Sequence, residues 1–159
     1  MGMTALGYRL PELAAHETRT LTVQGRPDLP DGEYGFLELY CSDANCDCRR
    51  VLIQVFELST GPKIWATINF GWESPEYYLK RIGIPELAEE ASGAQLDPIN
   101  PQSEFADVLL DYFVNLVADE GYIERLKRHY RQFRSAEPHS LELRASNWRP
   151  PRKMKRRLR

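Results

Sequence analysis

Residues 50–58 read RVLIQVFEL, and this stretch decides the fold. It is nearly all apolar and rich in branched and aromatic side chains. A strand that turns apolar groups to both sides belongs in the middle of a sheet, where both faces are covered. Working back along the chain, residues 34–41 set Leu37, Leu39 and Cys41 on one face against Phe36, Glu38 and Tyr40 on the other, the period of a half-buried strand. Residues 18–24 carry a weaker alternation, Thr18, Thr20 and Thr22 against Arg19, Leu21 and Val23, before GRPDLPDG breaks the chain. Working forward, STGPK at 59–63 is a turn into a strand over 64–70. The expectation is an antiparallel sheet of three to four strands in the N-terminal half.

From Ser74 the period lengthens from two to about three and a half. Ser74, Pro75 and Glu76 form a helix start, with a hydroxyl to cap amides, a proline suited to the first position and an acid to complement the dipole. Gly83 ends that helix, a short one follows over 85–91, and SGAQLDPINPQ reads as a loop. Ser103 is expected to cap the next helix, where Phe105, Val108, Leu109, Tyr112, Phe113, Leu116 and Val117 form a wide apolar stripe to lie on the sheet. Asp119 or Glu120 opens the last helix, whose narrower stripe of Ile123, Leu126, Tyr130 and Phe133 among basic residues predicts a place on the rim. Strands first and helices afterwards define an α+β domain, here over residues 1–143, with the C-terminal helices packed on one sheet face.

The formal charge of -2 conceals two unlike polymers. Before Arg144 the chain has 13 basic residues against 23 acidic ones, whereas residues 144–159 hold eight basic residues and no acid. That basic tail, RASNWRPPRKMKRRLR, lacks apolar periodicity and is expected to be disordered when free. Arg149, Arg152, Lys153, Lys155, Arg156, Arg157 and Arg159, with Trp148 to stack on a base, are its candidates for non-specific contact with nucleic acid. No run approaches the roughly 18 apolar residues of a membrane span, and MGMTALGYRLPEL lacks the basic and apolar regions of a secretion signal, so a cytoplasmic protein without a membrane partner is expected.

All three cysteines, Cys41, Cys46 and Cys48, fall within YCSDANCDCRR, which reads as a turn between two strands. DANCD offers the alternating oxygens of a calcium loop through Asp43, Asn45 and Asp47. The required glycine is Cys48, however, and the closing glutamate is Gln54. A redox pair is disfavoured because C-x-C opens no helix, although Arg49 and Arg50 would lower a thiol pKa. Zinc fits three thiolates grouped at a chain reversal. The fourth ligand is open: His129 first, His16 second, then Asp43, Asp47 or water. The competing reading makes the cysteines small buried side chains, with Cys41 filling a strand face beside Leu37 and Leu39.

Trp65, Trp72, Tyr77, Tyr78, Tyr112 and Phe113 are expected to pack the core rather than line a groove. Glu89 and Glu90 are adjacent on a helix and diverge, so they make no acid and base pair. No nucleophile elbow, phosphate loop or H-E-x-x-H occurs.

NPQSEFADVLLDYFVNLVADEGYIERLKRHYRQFR together with YCSDANCDCRRVLI resembles an uncharacterised bacterial protein family whose members sometimes carry a C-terminal SEC-C zinc motif. That terminal motif is absent here. The resemblance implies no activity, and it favours metal at the cysteine loop. The sequence therefore predicts a small zinc-stabilised interaction module for an unknown protein partner. A zinc enzyme with three cysteines and an open position, and a nucleic-acid-associated protein acting through the tail, are the alternatives.

Overall fold

The computed structural model describes residues 2–139 and Glu142. In chain order its elements are β1 (Met3–Ala5), α1 (Leu6–Arg9), α2 (Pro11–Glu17), β2 (Arg19–Val23), β3 (Gly32–Cys41), β4 (Arg50–Glu57), β5 (Ala66–Gly71), α3 (Pro75–Ile82), α4 (Pro85–Ala91), β6 (Gly93–Leu96), α5 (Ala106–Val117) and α6 (Glu120–Ser135). The fold is α+β, and its antiparallel sheet has six strands among the described residues, more than the three to four expected. The order is β1-β3-β4-β5-β6, with β2 also paired to β3.

The two additional strands are short, and their neighbours specify them. β3 is ten residues long, so β2 covers only its first half and leaves backbone groups that β1 satisfies from Met3 opposite Cys41 to Ala5 opposite Leu39. β6 lies in the stretch expected as a loop. It pairs Gly93 with Gly71 and Leu96 with Ile68, too short a segment to show an alternation of its own. β4 takes the central place expected for RVLIQVFEL, between β3 and β5.

The register sorts side chains onto two faces. Phe36 lies opposite Val55, Glu38 opposite Ile53, and Ile53 in turn opposite Ile68, so Tyr34, Phe36, Tyr40, Val51, Ile53, Val55, Ile68 and Phe70 share the core face. α5 and α6 close over it. Phe113 of α5 meets Phe36 with ring centroids 6.2 Å apart and Phe70 at 5.6 Å, while Phe133 of α6 meets Tyr40 at 5.6 Å. The last helix is not on the rim: α6 buries Tyr122, Leu126, His129, Tyr130 and Phe133, against Ala106, Leu109 and Phe113 of α5. Its buried positions recur at steps of three and four, a wide stripe once a tyrosine and a histidine are counted as core residues.

The helix boundaries follow the local chemistry. Asp119 accepts the amide of Gly121 at 2.9 Å to cap α6. Gly83 ends α3 at φ 77°, the left-handed cap that favours glycine. Ser103 accepts the amide of Phe105 at 3.1 Å just ahead of α5 and donates to the Trp65 carbonyl at 2.6 Å. α3 and α4 form a separate small core of Tyr78, Ala88 and Ala91, held against β5 by close approach at Gly71, where a Cβ would sit 2.0 Å from the Ala91 carbonyl oxygen and within 3 Å of the Tyr78 ring. Gly71→Ala is therefore expected to destabilise the protein by at least about 1–3 kcal/mol, the cost of overpacking. Urea unfolding of wild type and variant checks this, and equal midpoints would refute it.

Candidate metal centre

The cysteine loop is held from outside by side chains of two helices. From α6, the Arg134 guanidinium donates to the carbonyls of Cys46 and Ala44, the latter at 3.1 Å. Tyr130 donates to the Asp47 carboxylate at 2.8 Å. From α3, Tyr77 donates to the Asp47 carbonyl at 2.6 Å and Tyr78 to the Arg49 carbonyl at 2.8 Å. Inside the loop the Asp43 carboxylate accepts the Asn45 amide at 2.9 Å, and the Cys46 amide donates to the Asp43 carbonyl at 3.1 Å. Arg49 sits at φ 47°, the only non-glycine residue with positive φ among the described residues. This conformation costs on the order of 1 kcal/mol and persists only where surrounding contacts over-determine it.

These anchors leave the sulfurs together. The Sγ atoms of Cys41, Cys46 and Cys48 lie within 4.8 Å of one another, and none is in a disulfide. Each residue is partly buried, and Cys48 packs against the edge of the main core. Cys41 lies, as expected, on the strand face of Leu37 and Leu39, which is the half-buried face. Burial, reinforced by the neighbouring Cys46 and Cys41, pushes the Cys48 thiol up to about 12. Burial is also the main cause that raises the Cys41 thiol. A tetrahedral ion with sulfur at about 2.3 Å spaces its sulfurs about 3.8 Å apart, so the group needs only a small inward adjustment to hold one.

The structure brings together the three cysteines and none of the expected fourth ligands. His129 is fully buried in α6 and occupied at both nitrogens: Nδ1 lies 2.7 Å from Glu38 Oε1, and Nε2 bonds to Glu17. His16 Nδ1 lies 2.7 Å from the Glu12 carbonyl oxygen on exposed α2. The carboxylates of Asp43 and Asp47 serve the loop itself. The sulfurs instead border a cavity of about 300 Å³ that is also lined by Arg50, Asn69, Asp97 and Asn100. The basic candidates from Arg149 to Arg159 lie outside the described residues. No helix among the described residues is long and apolar enough to cross a membrane.

The expected core aromatics divide. Trp65, Tyr78 and Phe113 are buried, whereas Trp72 is half-buried at the edge of the core and also lines a groove beside the cysteine loop. The pairing of His129 with Glu38 and Glu17 was not anticipated, although a glutamate set between Phe36 and Tyr40 and a histidine three residues beyond Leu126 were its visible signals. Compared with known proteins, the chain matches no protein-family model, no curated protein and no solved structure.

The buried pair makes stability depend on pH. Burial alone would depress the His129 imidazolium, but Glu38 and then Glu17 outweigh it and hold the pKa above the ordinary histidine value. The hydrogen bond from His129, with Arg128 beside it, holds the Glu17 carboxyl below the ordinary value. A raised histidine stabilises fully below its unfolded pKa of about 6.5 and loses that contribution as pH rises through its folded value. A depressed glutamate contributes above about 4.5 and loses its part as pH falls through its own folded value. The difference in unfolding free energy between wild type and His129→Gln is therefore expected to be largest between about pH 4.5 and 6.5 and to shrink towards pH 8.5. The cysteines titrate alike in both proteins and drop out of the difference. Urea unfolding at pH 5.5 and 8.5 measures it, and a difference unchanged between the two would exclude a charged His129.

Proposed function

We propose that the protein is a small metal-binding interaction module in which Cys41, Cys46 and Cys48 hold one zinc ion without catalysis. The observation that carries this reading is the convergence of three sulfurs on a loop whose backbone is already pinned by α3 and α6. Thiolate ligands select soft or borderline ions, and three of them at one point suit zinc. The surface offered to a protein partner is the α3–α4 hairpin, where Leu79, Ile82, Ile84 and Leu87 are each 39–47% exposed. Clustered exposed aliphatic groups of this kind mark contact surfaces.

One observation favours a second reading, a zinc enzyme with an open coordination position: the sulfurs border a cavity that also holds the polar side chains of Arg50, Asn69, Asp97 and Asn100. The same cavity argues against catalysis. Its one lining carboxylate, Asp97, accepts from the Ile99 and Asn100 amides and from the side chains of Asn69 and Asn100. Burial would raise its pKa, but these donors outweigh burial and lower it. A general base works best with a pKa near the operating pH, and this carboxylate is held far below it.

Protein purified without chelator is expected to carry about one equivalent of zinc by elemental analysis, and Cys46→Ser below about a tenth of that. Wild type with less than about a tenth of an equivalent would end the metal reading. Cobalt replacement separates the two functions. A visible spectrum that shifts on adding azide or imidazole shows an exchangeable fourth position and favours the enzyme, whereas an unmoved spectrum favours the closed structural site.

A further inference from the structure

The cysteine loop turns alternate residues to two cavities. Cys46, Cys48 and Arg50 line the smaller one, and Asp47 and Arg49 line a groove of about 680 Å³ on the other side of the strand entry. Lys127, Arg131 and Arg134 of α6 make one wall of that groove, and Trp72 and Tyr130 supply its aromatic surface. Its volume lies within the range of small-ligand sites.

The groove carries positive charge that the described residues do not compensate. Its two acids are already matched: Asp47 meets Arg49 at 3.1 Å and Arg81 at 3.8 Å, and Glu73 meets Arg49 at 3.2 Å. Lys127 has only Glu124, at 3.4 Å and largely in solvent. Arg134 rests on neutral carbonyl oxygens and over the Tyr130 ring. Arg131 is exposed, and its side chain has no hydrogen bond or ion pair among the described residues. The three cations stand at i, i+4 and i+7 on one helix face, where like charges repel. Such a stripe, set in a body with ten more acids than bases before Arg144, focuses anions at one place.

The opposite wall decides the kind of anion. Trp72 is half-buried against the core and meets Tyr130 in an edge-to-face contact, with centroids 5.2 Å apart and planes at 76°. An indole lining the same groove as the Arg131 guanidinium and the Lys127 ammonium suits a ligand that joins a phosphate to a planar ring. We infer that this groove binds a mononucleotide, its phosphate between Lys127 and Arg131 and its base against Trp72. None of the three cysteines lines this groove.

Calorimetric titration of the full chain with AMP, adenosine and inorganic phosphate tests the assignment. AMP is expected to bind saturably with a Kd of about 1 mM or tighter, and adenosine and phosphate each more weakly. The double substitution Lys127→Ala with Arg131→Ala, on an exposed face, is expected to weaken AMP on the order of tenfold, and Trp72→Leu by a similar factor. Circular dichroism confirms that each variant is folded. No saturable AMP binding, binding matched by phosphate or adenosine alone, or AMP binding unchanged in both variants would overturn the proposal. The last result would place the ligand on the basic segment after Leu143.

Discussion

A carboxylate on the core face of the sheet is the constraint around which the rest is arranged. Glu38 is 3% exposed and lies opposite Ile53, where an unpaired charge would cost several kcal/mol. It takes its partners from Tyr40, two residues along its own strand, and from His129 of α6. The other nitrogen of His129 reaches Glu17 at the end of α2, and Arg128 bonds the same carboxylate at 2.9 Å. One imidazole thereby ties together β3, α2 and α6. The tie also sets where α6 lies along β3. With His129 over Glu38, the next residue, Tyr130, reaches Asp47, and Arg134 one turn later reaches the loop carbonyls. A pairing in the core thus determines where the cysteine loop is held.

The parts of this arrangement that were legible in the sequence are those whose physics is local. RVLIQVFEL announced a central strand because no other place covers both of its faces; Pro75 in the first turn and Gly83 at the left-handed cap bound α3 as expected, although the Ser74 hydroxyl caps no amide. β1 and β6 were not legible. They exist because β3 and β5 present free backbone groups, which no alternation in the short strands themselves reports. The basic appearance of α6 suggested a rim helix because Arg125, Arg128 and Arg134 were counted as solvated. In the fold they answer Glu17 and the loop carbonyls across more than 80 residues of chain. The cysteine group was legible as a group, since three thiols within eight residues cannot separate far. The occupation of His129 elsewhere was not, because it depends on Glu38 and Glu17 arriving from distant segments.

The two cavities beside the loop follow from its backbone geometry. Cys46, Cys48 and Arg50 line one cavity and Asp47 and Arg49 the other, and the chain passes through the left-handed conformation at Arg49 just before β4. Arg49 is kept in this conformation by contacts on every part of it. Tyr78 holds its carbonyl, Asp47 and Glu73 hold its guanidinium, and Tyr77 lies beneath it at 4.6 Å. A residue held this firmly transmits position between the two cavities, since a shift of the loop on the sulfur side moves Asp47 and Arg49 on the other.

The external anchoring also bears on how a metal would couple to folding. In small zinc domains the ion supplies most of the folding free energy, because no core exists without it. Here Phe36, Phe70 and Phe113 meet in a core that the cysteines touch only at its edge, through Cys48, and the loop backbone is held by Arg134, Tyr77 and Tyr130. Most of the entropy cost of arranging the ligands is thus met by helix contacts before an ion arrives. An ion at such a preformed site would add local rigidity without carrying the global fold.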